Sequence, residues 1–240
     1  MINKGIQKST NQEIKARFDN DVERFSNLET GQQTFIDAKL CLELVAESVG
    51  AAHPNVKSVL DIGCGAGNYS VKLSEKFPHA NYDLLDLSEP MLKRASERLA
   101  EKTDGSIKTY QRDILEFSLP KEEYCVVLAG AVLHHLREDE DWELVFRNIY
   151  ESLKPGGSFW IIDLIIHETE ALNQLFSNRY ADFLKAIGGV DYQSHVFDYI
   201  EKEDTPRSLV FQLELMKKVG FRHVDVLHKN LVFAAFGAIK

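Results

Sequence analysis

From residue 55 onward the chain alternates between short apolar runs and amphipathic helical patterns, and few folds accommodate that rhythm. The runs cover residues 56–62, 81–87, 107–112, 124–130 and 158–166, with two more at 222–228 and 231–239. Between them Tyr69, Leu73 and Phe77 recur every fourth residue, the spacing of one helix face. Met91, Leu92, Ala95 and Leu99 form a second such stripe, and Trp142, Val145, Phe146, Ile149 and Leu153 a third. Ser88 reads as the N-cap of the second helix with Pro90 in its first turn. Lys154-Pro155-Gly156-Gly157 stops the third. Apolar strands joined by helices imply right-handed crossovers and a mostly parallel sheet covered on both faces. The expectation is a doubly wound α/β domain with seven strands.

Two regions stand outside the rhythm. Residues 11–50 read as helical, with Ala38, Cys41, Leu42, Val45 and Val49 on one face. Residues 167–205 carry a helical pattern broken at Gly188-Gly189, inserted before a last helix at 207–219. The division expected is therefore a helical cap or lid at 1–50 and an α/β domain at 51–240 that holds the insertion. A length of 240 residues is enough to bury a sizeable core.

Charge and cysteine usage narrow the class of function. A formal charge of −9 without a strong Lys/Arg cluster ranks nucleic acid below a small molecule as partner. The acidic run 138–143 reads as a solvated helix start, where carboxylates suit the positive end of the helix dipole. Cys41, Cys64 and Cys125 show no paired or metal-like spacing, so reduced thiols and a cytoplasmic setting are expected. Residues 1–15 are polar and no apolar run reaches spanning length, which predicts neither a signal peptide nor a membrane partner. The reading admits a homodimer and calls for no metal.

The sharpest chemical signal is Asp61-Ile62-Gly63-Cys64-Gly65-Ala66-Gly67 at the end of the first strand. Glycines there let the backbone turn tightly and approach a ligand, while the next helix offers free N–H groups. A dinucleotide loop uses the same logic with G-x-G-x-x-G, but counted from Gly63 the sixth position is Asn68. Asp61 would repel a pyrophosphate. It would favour an ammonium or sulfonium group, directly or by orienting the loop.

With these residues the chain resembles the class I S-adenosylmethionine-dependent methyltransferases, whose fold is a Rossmann-like seven-stranded sheet. The resemblance implies that Gly63-Cys64-Gly65 holds the methionine part of S-adenosyl-L-methionine. It assigns Asp86, in Leu85-Asp86-Leu87-Ser88, to the ribose hydroxyls, and Asp113-Ile114 to the adenine. Leu87 and Met91 are counted with the cofactor-binding residues; Met91 and Leu92 belong to the core, with one of them also at the adenine edge. The fourth strand end, Ala129 to His134, lies under the methionine part and faces the acceptor; Leu153 to Gly157 matches the turn before the fifth strand. Cys64 supplies backbone and is not a nucleophile.

Methyl transfer is an in-line displacement, so positioning and exclusion of water do most of the work and no residue is obliged to be catalytic. His134, Tyr180 and Arg179 are the catalytic candidates, with His135 beside the first. Residues 24–32 of the cap, together with Asn178, Tyr192 and His195 of the insertion, are expected to select a small organic acceptor. The carboxyl-terminal part is similar to bacterial enzymes that modify the tRNA wobble uridine with carboxy-S-adenosylmethionine. Where that subgroup has a carboxylate-binding arginine, an asparagine and a tyrosine, this chain has Leu215, Ala129 and, loosely aligned, Gln32. Arg207 is the nearby cation that could compensate. Plain S-adenosylmethionine is therefore the expected cofactor, with tRNA modification or a non-catalytic, regulatory cofactor-binding role as the alternative functions.

Overall fold

The computed structural model describes residues 7–27 and 33–240. Positions 28–32 of the cap, including Gln32, lie outside the described residues. The cap begins with helices α1 (Asn11–Asn20) and α2 (Val22–Ser26) and continues with α3 (Ala38–Ala52). A capping box opens α1: the Thr10 side chain accepts from the Glu13 N–H, and the Glu13 carboxylate accepts from the Thr10 N–H at 2.8 Å. Two donors that a helix start leaves unpaired are thereby satisfied.

The α/β part runs β1 (Ser58–Ile62), α4 (Asn68–Ser74), β2 (Asn81–Asp86), α5 (Glu89–Ala100), β3 (Ile107–Gln111) and β4 (Tyr124–Gly130). It continues with α6 (Asp139–Ser152), β5 (Leu153–Leu164), α7 (Glu170–Glu203), α8 (Leu209–Val219), β6 (His223–Asn230) and β7 (Phe233–Ile239). The seven strands form one sheet in the order β3-β2-β1-β4-β5-β7-β6. β1 to β5 are mutually parallel, while β7 lies antiparallel between β5 and β6. This is the expected Rossmann-like, doubly wound sheet.

Successive strand residues feed opposite faces. Leu60, Val127, Phe159 and Ile161 pack with Trp142, Phe146 and Ile149 of α6 and with Leu215 and Met216 of α8. Val59, Tyr82, Leu84, Val126 and Leu128 pack on the other face with Cys41, Leu42, Val45 and Val49 of α3 and Leu92, Ala95 and Leu99 of α5. Full burial of each large side chain is worth roughly 1.5–3 kcal/mol, so both helix layers are held by the stripes visible in the sequence. Ser88 caps α5 as expected, accepting from the Met91 N–H with Pro90 in the first turn.

The boundaries differ from expectation in three places. β5 starts at Leu153, because the turn after α6 is itself extended; the expected start was 158. The last helix begins at Leu209 because Ser208 caps it, which leaves Arg207 outside. The insertion is one long helix bent at Gly189, whose φ of 81° and ψ of −174° only glycine adopts easily. It packs Tyr180, Leu184 and Val196 against Ile36, Leu164 and Phe233, a third core at the edge of the cap. Among the described residues no helix is long and apolar enough to cross a membrane.

Candidate active site

The chain order reverses across the sheet between β1 and β4, so the connections leaving these strands depart in opposite directions and open a crevice at their carboxyl ends. A cavity of about 450 Å³ occupies it, within the usual range of small-molecule sites. Its floor is the turn after β1. Gly63 has φ +60°, and a Cβ placed there would lie 2.3 Å from Cγ2 of Val132 in the turn after β4. Glycine at this position therefore lets the two strand ends approach each other. Cys64 is buried; burial and the nearby carboxylates of Asp86 and Asp61 push its thiol well above its ordinary pKa. It stays protonated and offers backbone only.

Asp61 stands beneath this loop and off the cavity wall. One carboxylate oxygen accepts from the Ser70 hydroxyl at 2.6 Å, and the other is buried without a hydrogen-bond partner among the described residues. Burial raises the Asp61 pKa to about 7, opposed by the Ser70 hydrogen bonds and reinforced by the charge of Asp86. Of the two roles expected for Asp61, this position fits the orienting one and the long-range field, not direct contact.

Asp86 ends β2 on the cavity wall. Its carboxylate accepts from the Gly65 N–H and the Ser88 N–H, each at 2.8 Å, and so ties the glycine loop to the start of α5. Leu87, Met91, Asp113 and Ile114 share that end of the cavity, with Met91 fully buried. Asp113 accepts from the Leu115 N–H at 2.9 Å and from the amide of Asn11, a residue of the cap. Ala129 is 1% exposed and inside β4, so the wall there is made by Gly130, Ala131 and Val132 instead. Gly130, the last residue of β4, reaches the cavity wall, whereas Ala129 before it does not.

At the other end the wall carries His134, His135 and Asp204 together with Tyr180, Tyr192 and His195. Asp163, fully buried on β5, accepts from both the backbone N–H and the Nδ1 side of His134. Burial alone would lower the His134 pKa; Asp163 and Asp204 outweigh it and raise it to about 9. Burial and its charged neighbour hold His135 well below the usual histidine range. The Tyr180 hydroxyl donates to the Thr34 carbonyl at 2.9 Å, which anchors the cap. Asn178 and Arg179 face solvent on the outer side of α7 and do not join the others. Leu215 is buried in the core between α6 and α8, away from the cavity, so its identity says nothing about a bound carboxylate. Arg207 pairs with Asp139 at 2.7 Å and is likewise off the wall.

Sequence reasoning missed Asp163, the site role of Asp204, and Arg17. Asp163 was hidden as one polar residue in an apolar strand. That is a usable signal, because a carboxylate buried mid-strand needs a partner. Arg17 and Asp204 carried none, because long-range packing alone brings them to the site. Arg17 pairs with Glu203 at 2.5 Å and lies over the rings of Phe18 and Tyr199, at 4.2 and 4.5 Å from their centres. Phe18, Phe25 and Phe35 of the cap all line the cavity.

Residues 59–157 match a family described as a methyltransferase domain. The chain is 26% identical over 183 residues to a carboxy-S-adenosyl-L-methionine synthase of Nautilia profundicola, covering 76% of each. It is 30% identical over 172 residues to a demethylmenaquinone methyltransferase of Lactococcus lactis, covering 70% of this chain and 67% of that one. The fold is shared with human N-acetylserotonin methyltransferase solved in complex with S-adenosylmethionine, at a TM-score of 0.60 and 18% identity. That alignment covers 94% of this chain and 56% of the human one. The switch-point cavity, the glycine loop, the strand-end Asp86 and these relationships converge: the chain belongs to the class I S-adenosylmethionine-dependent methyltransferases.

Proposed function

We propose that this chain transfers the methyl group of S-adenosylmethionine to a small organic acceptor held between the cap and the insertion helix. The observation that carries the reading is the division of one cavity between two kinds of wall. One end is built from strand ends and presents Asp86, Asp113 and the glycine loop. The other is built from parts outside the sheet's rhythm, with aromatic and polar side chains of α1, α2 and α7. S-adenosylmethionine supplies a methyl group on a positively charged sulfur, already activated for displacement. The residues fit it: Gly63 leaves space that a side chain would fill, Asp86 presents a fixed carboxylate, and the unpaired oxygen of Asp61 puts negative charge beneath the loop. The chain's own task is to align the acceptor and exclude water. Of the three catalytic candidates, His134 is the one in the polar corner facing the acceptor space, since Tyr180 is committed to Thr34 and Arg179 faces solvent.

The wall supports plain S-adenosylmethionine over a carboxylated form. Arg17 and Arg24 are paired with Glu203 and Asp21, and Arg137 is engaged by the Glu203 carbonyl and the Thr205 hydroxyl. A carboxylate closed in beside these engaged cations costs several kcal/mol. Arg112 is exposed next to Asp113 on the same wall; among the described residues its guanidinium bonds only the Gln111 carbonyl, and it is the cation left to meet one. The name of the Lactococcus relative points to a small organic acceptor, and the charge of −9 disfavours a polyanion. Assays with methyl-labelled S-adenosylmethionine against small hydroxy, amino and carboxy compounds and against bulk tRNA test this. Label is expected in a small molecule, and methyl incorporation into tRNA would reverse the assignment.

Asp86→Ala should cost roughly 2–3 kcal/mol of cofactor binding, or about one to two decades in affinity by titration calorimetry, because a charge-assisted double contact is lost. Unchanged affinity would remove Asp86 from the site.

The buried Asp61 gives a pH signature. Its unfolded value is 3.8 and its folded value about 7, so between them the folded state keeps a proton that the unfolded state has lost. Stability of the ligand-free protein should therefore fall as pH rises from about 4 to about 7, by an amount on the order of 4 kcal/mol at most. Asp61→Asn should flatten that slope in thermal unfolding scans; an unaltered slope would assign it to other groups.

The cap is proposed to act as a lid. Its first two helices meet the starts of α4 and α5 and the side of α5 through polar contacts, unlike α3, which is core: Ser88 donates to Asp19 at 2.6 Å, Asn68 to the Phe25 carbonyl at 3.0 Å and Arg94 to Ser26 at 3.2 Å. Such contacts can be remade without disturbing a core. Hydrogen exchange with S-adenosylhomocysteine should show added protection across residues 11–27 and 33–36, whereas no change there would make the cap a fixed wall.

A further inference from the structure

His134, His135 and Asp204 meet in a corner of the cavity that methyl transfer by itself does not explain. His134 and His135 sit on the short 3-10 turn Leu133–His135 after β4, while Asp204 follows the end of α7. The Thr205 N–H donates to the His134 carbonyl at 2.6 Å and fixes the two segments against each other. Asp163 grips the Nδ1 side of His134, so the ring turns its Nε2 toward Asp204. His134 Nε2 lies 3.6 Å from Asp204 Oδ1, and His135 Nδ1 lies 3.3 Å from the same oxygen.

These distances are too long or too poorly aligned for hydrogen bonds, and Asp204 Oδ1 has no hydrogen-bond partner among the described residues although Asp204 is only 4% exposed. No Lys or Arg among the described residues pairs with its side chain; Arg17 is taken by Glu203, and Arg137 reaches the Glu203 carbonyl and Thr205. A buried carboxylate oxygen facing two imidazoles is balanced either by a second proton on His134 or by a metal ion in that proton's place, with His135 Nδ1 turning from the Glu203 carbonyl at 3.4 Å to the ion. A tetrahedral ion with bonds of about 2.0–2.2 Å sets its ligands roughly 3.3–3.6 Å apart; both distances to Asp204 Oδ1 match, and one donor atom from each of the three residues lies within 4.8 Å of the others. The Asp163–His134 contact is the outer-shell arrangement that orients a metal-binding histidine and fixes its tautomer.

We propose that His134, His135 and Asp204 bind one divalent transition-metal ion of the zinc class, with Asp163 as the carboxylate behind His134. Two imidazoles and one carboxylate are the donor set such an ion takes, and calcium or magnesium would demand more oxygens. All three ligands line the cavity, so an ion held by them would border the space proposed for the acceptor. There the ion would hold an oxygen, nitrogen or sulfur of the acceptor and favour its deprotonated form. That role rests on the methyl-transfer reading; the ion site itself does not.

The test uses the whole chain, stripped with a chelator and dialysed against Zn²⁺ or Co²⁺. Elemental analysis should find one equivalent of zinc per chain, and cobalt should give the intense visible absorption of a four-coordinate ion. Asp204→Asn and His135→Gln should each abolish stoichiometric uptake, and Asp163→Asn should weaken it by about 10–100-fold. His228→Gln, in the partly exposed His228–Asp37 pair, should change nothing. Circular dichroism shows whether each variant is folded, and the cobalt spectrum of the unaltered chain decides the matter even where a variant is not. Absence of uptake by that chain overturns the proposal, as does full retention by folded Asp204→Asn. Ring-nitrogen spectra showing His134 doubly protonated beside one equivalent of Zn²⁺ would put a proton in the gap and overturn it too. A chain that binds zinc but not S-adenosylhomocysteine would leave the ion site standing and remove the methyl-transfer reading instead.

Discussion

The close approach of two backbone turns at the centre of the sheet governs the rest of the molecule. With no side chain at Gly63, the turn after β1 can settle against Val132 in the turn after β4. The crevice between the diverging connections then has a continuous backbone floor. On one side of that floor Asp86 receives the Gly65 and Ser88 N–H groups; on the other the chain leads directly into the turn that carries His134 and His135. The two ends of the cavity are thus set by one local contact, and a side chain at Gly63 would push them apart.

Holding carboxylates close around that floor is costly, and the protein meets the cost differently at each of three positions. Asp86 is satisfied by backbone donors, so its charge is available in a fixed direction. Asp61 has one hydroxyl partner and one bare oxygen, which leaves its ionisation close to neutral pH. Asp163 gives both oxygens to the His134 unit and works through that ring. The same residue type therefore recognises, tunes or positions, according to which donors the surrounding backbone supplies.

The cap and insertion close the site from outside the sheet. Tyr180 of α7 holds the Thr34 carbonyl, and Arg17 of α1 holds Glu203 at the end of α7, so the two additions brace each other as well as the core. This arrangement separates two tasks. The sheet builds one end of the cavity from strand ends, and the additions build the other from segments that can change without disturbing the strands.

Most of the fold was legible in the sequence, because strand and helix periodicities are local and a doubly wound sheet is what they specify when they alternate. Asp86, Asp113, Gly63 and Met91 were legible for the same reason: each lies a fixed number of residues from a strand end, and a strand end is where the crevice must be. Ala129 was one residue short of the cavity wall, which Gly130 reaches instead. Arg179 and Tyr180 are adjacent in sequence, yet one faces solvent and the other is buried against Thr34; the helical face that packs was not marked by residue type. Leu215 looked informative by alignment and proved to be core. Of the corner, His134 and His135 were legible as candidates, whereas Asp163 and Asp204 were not, since they come from β5 and from just beyond a bent 34-residue helix. Sequence alone determined the sheet, the glycine loop and the strand-end carboxylates beside it, whose geometry is set within a few residues. Tertiary structure decided the opposite end of the cavity, because contacts between distant segments cost chain entropy that only the assembled core can repay.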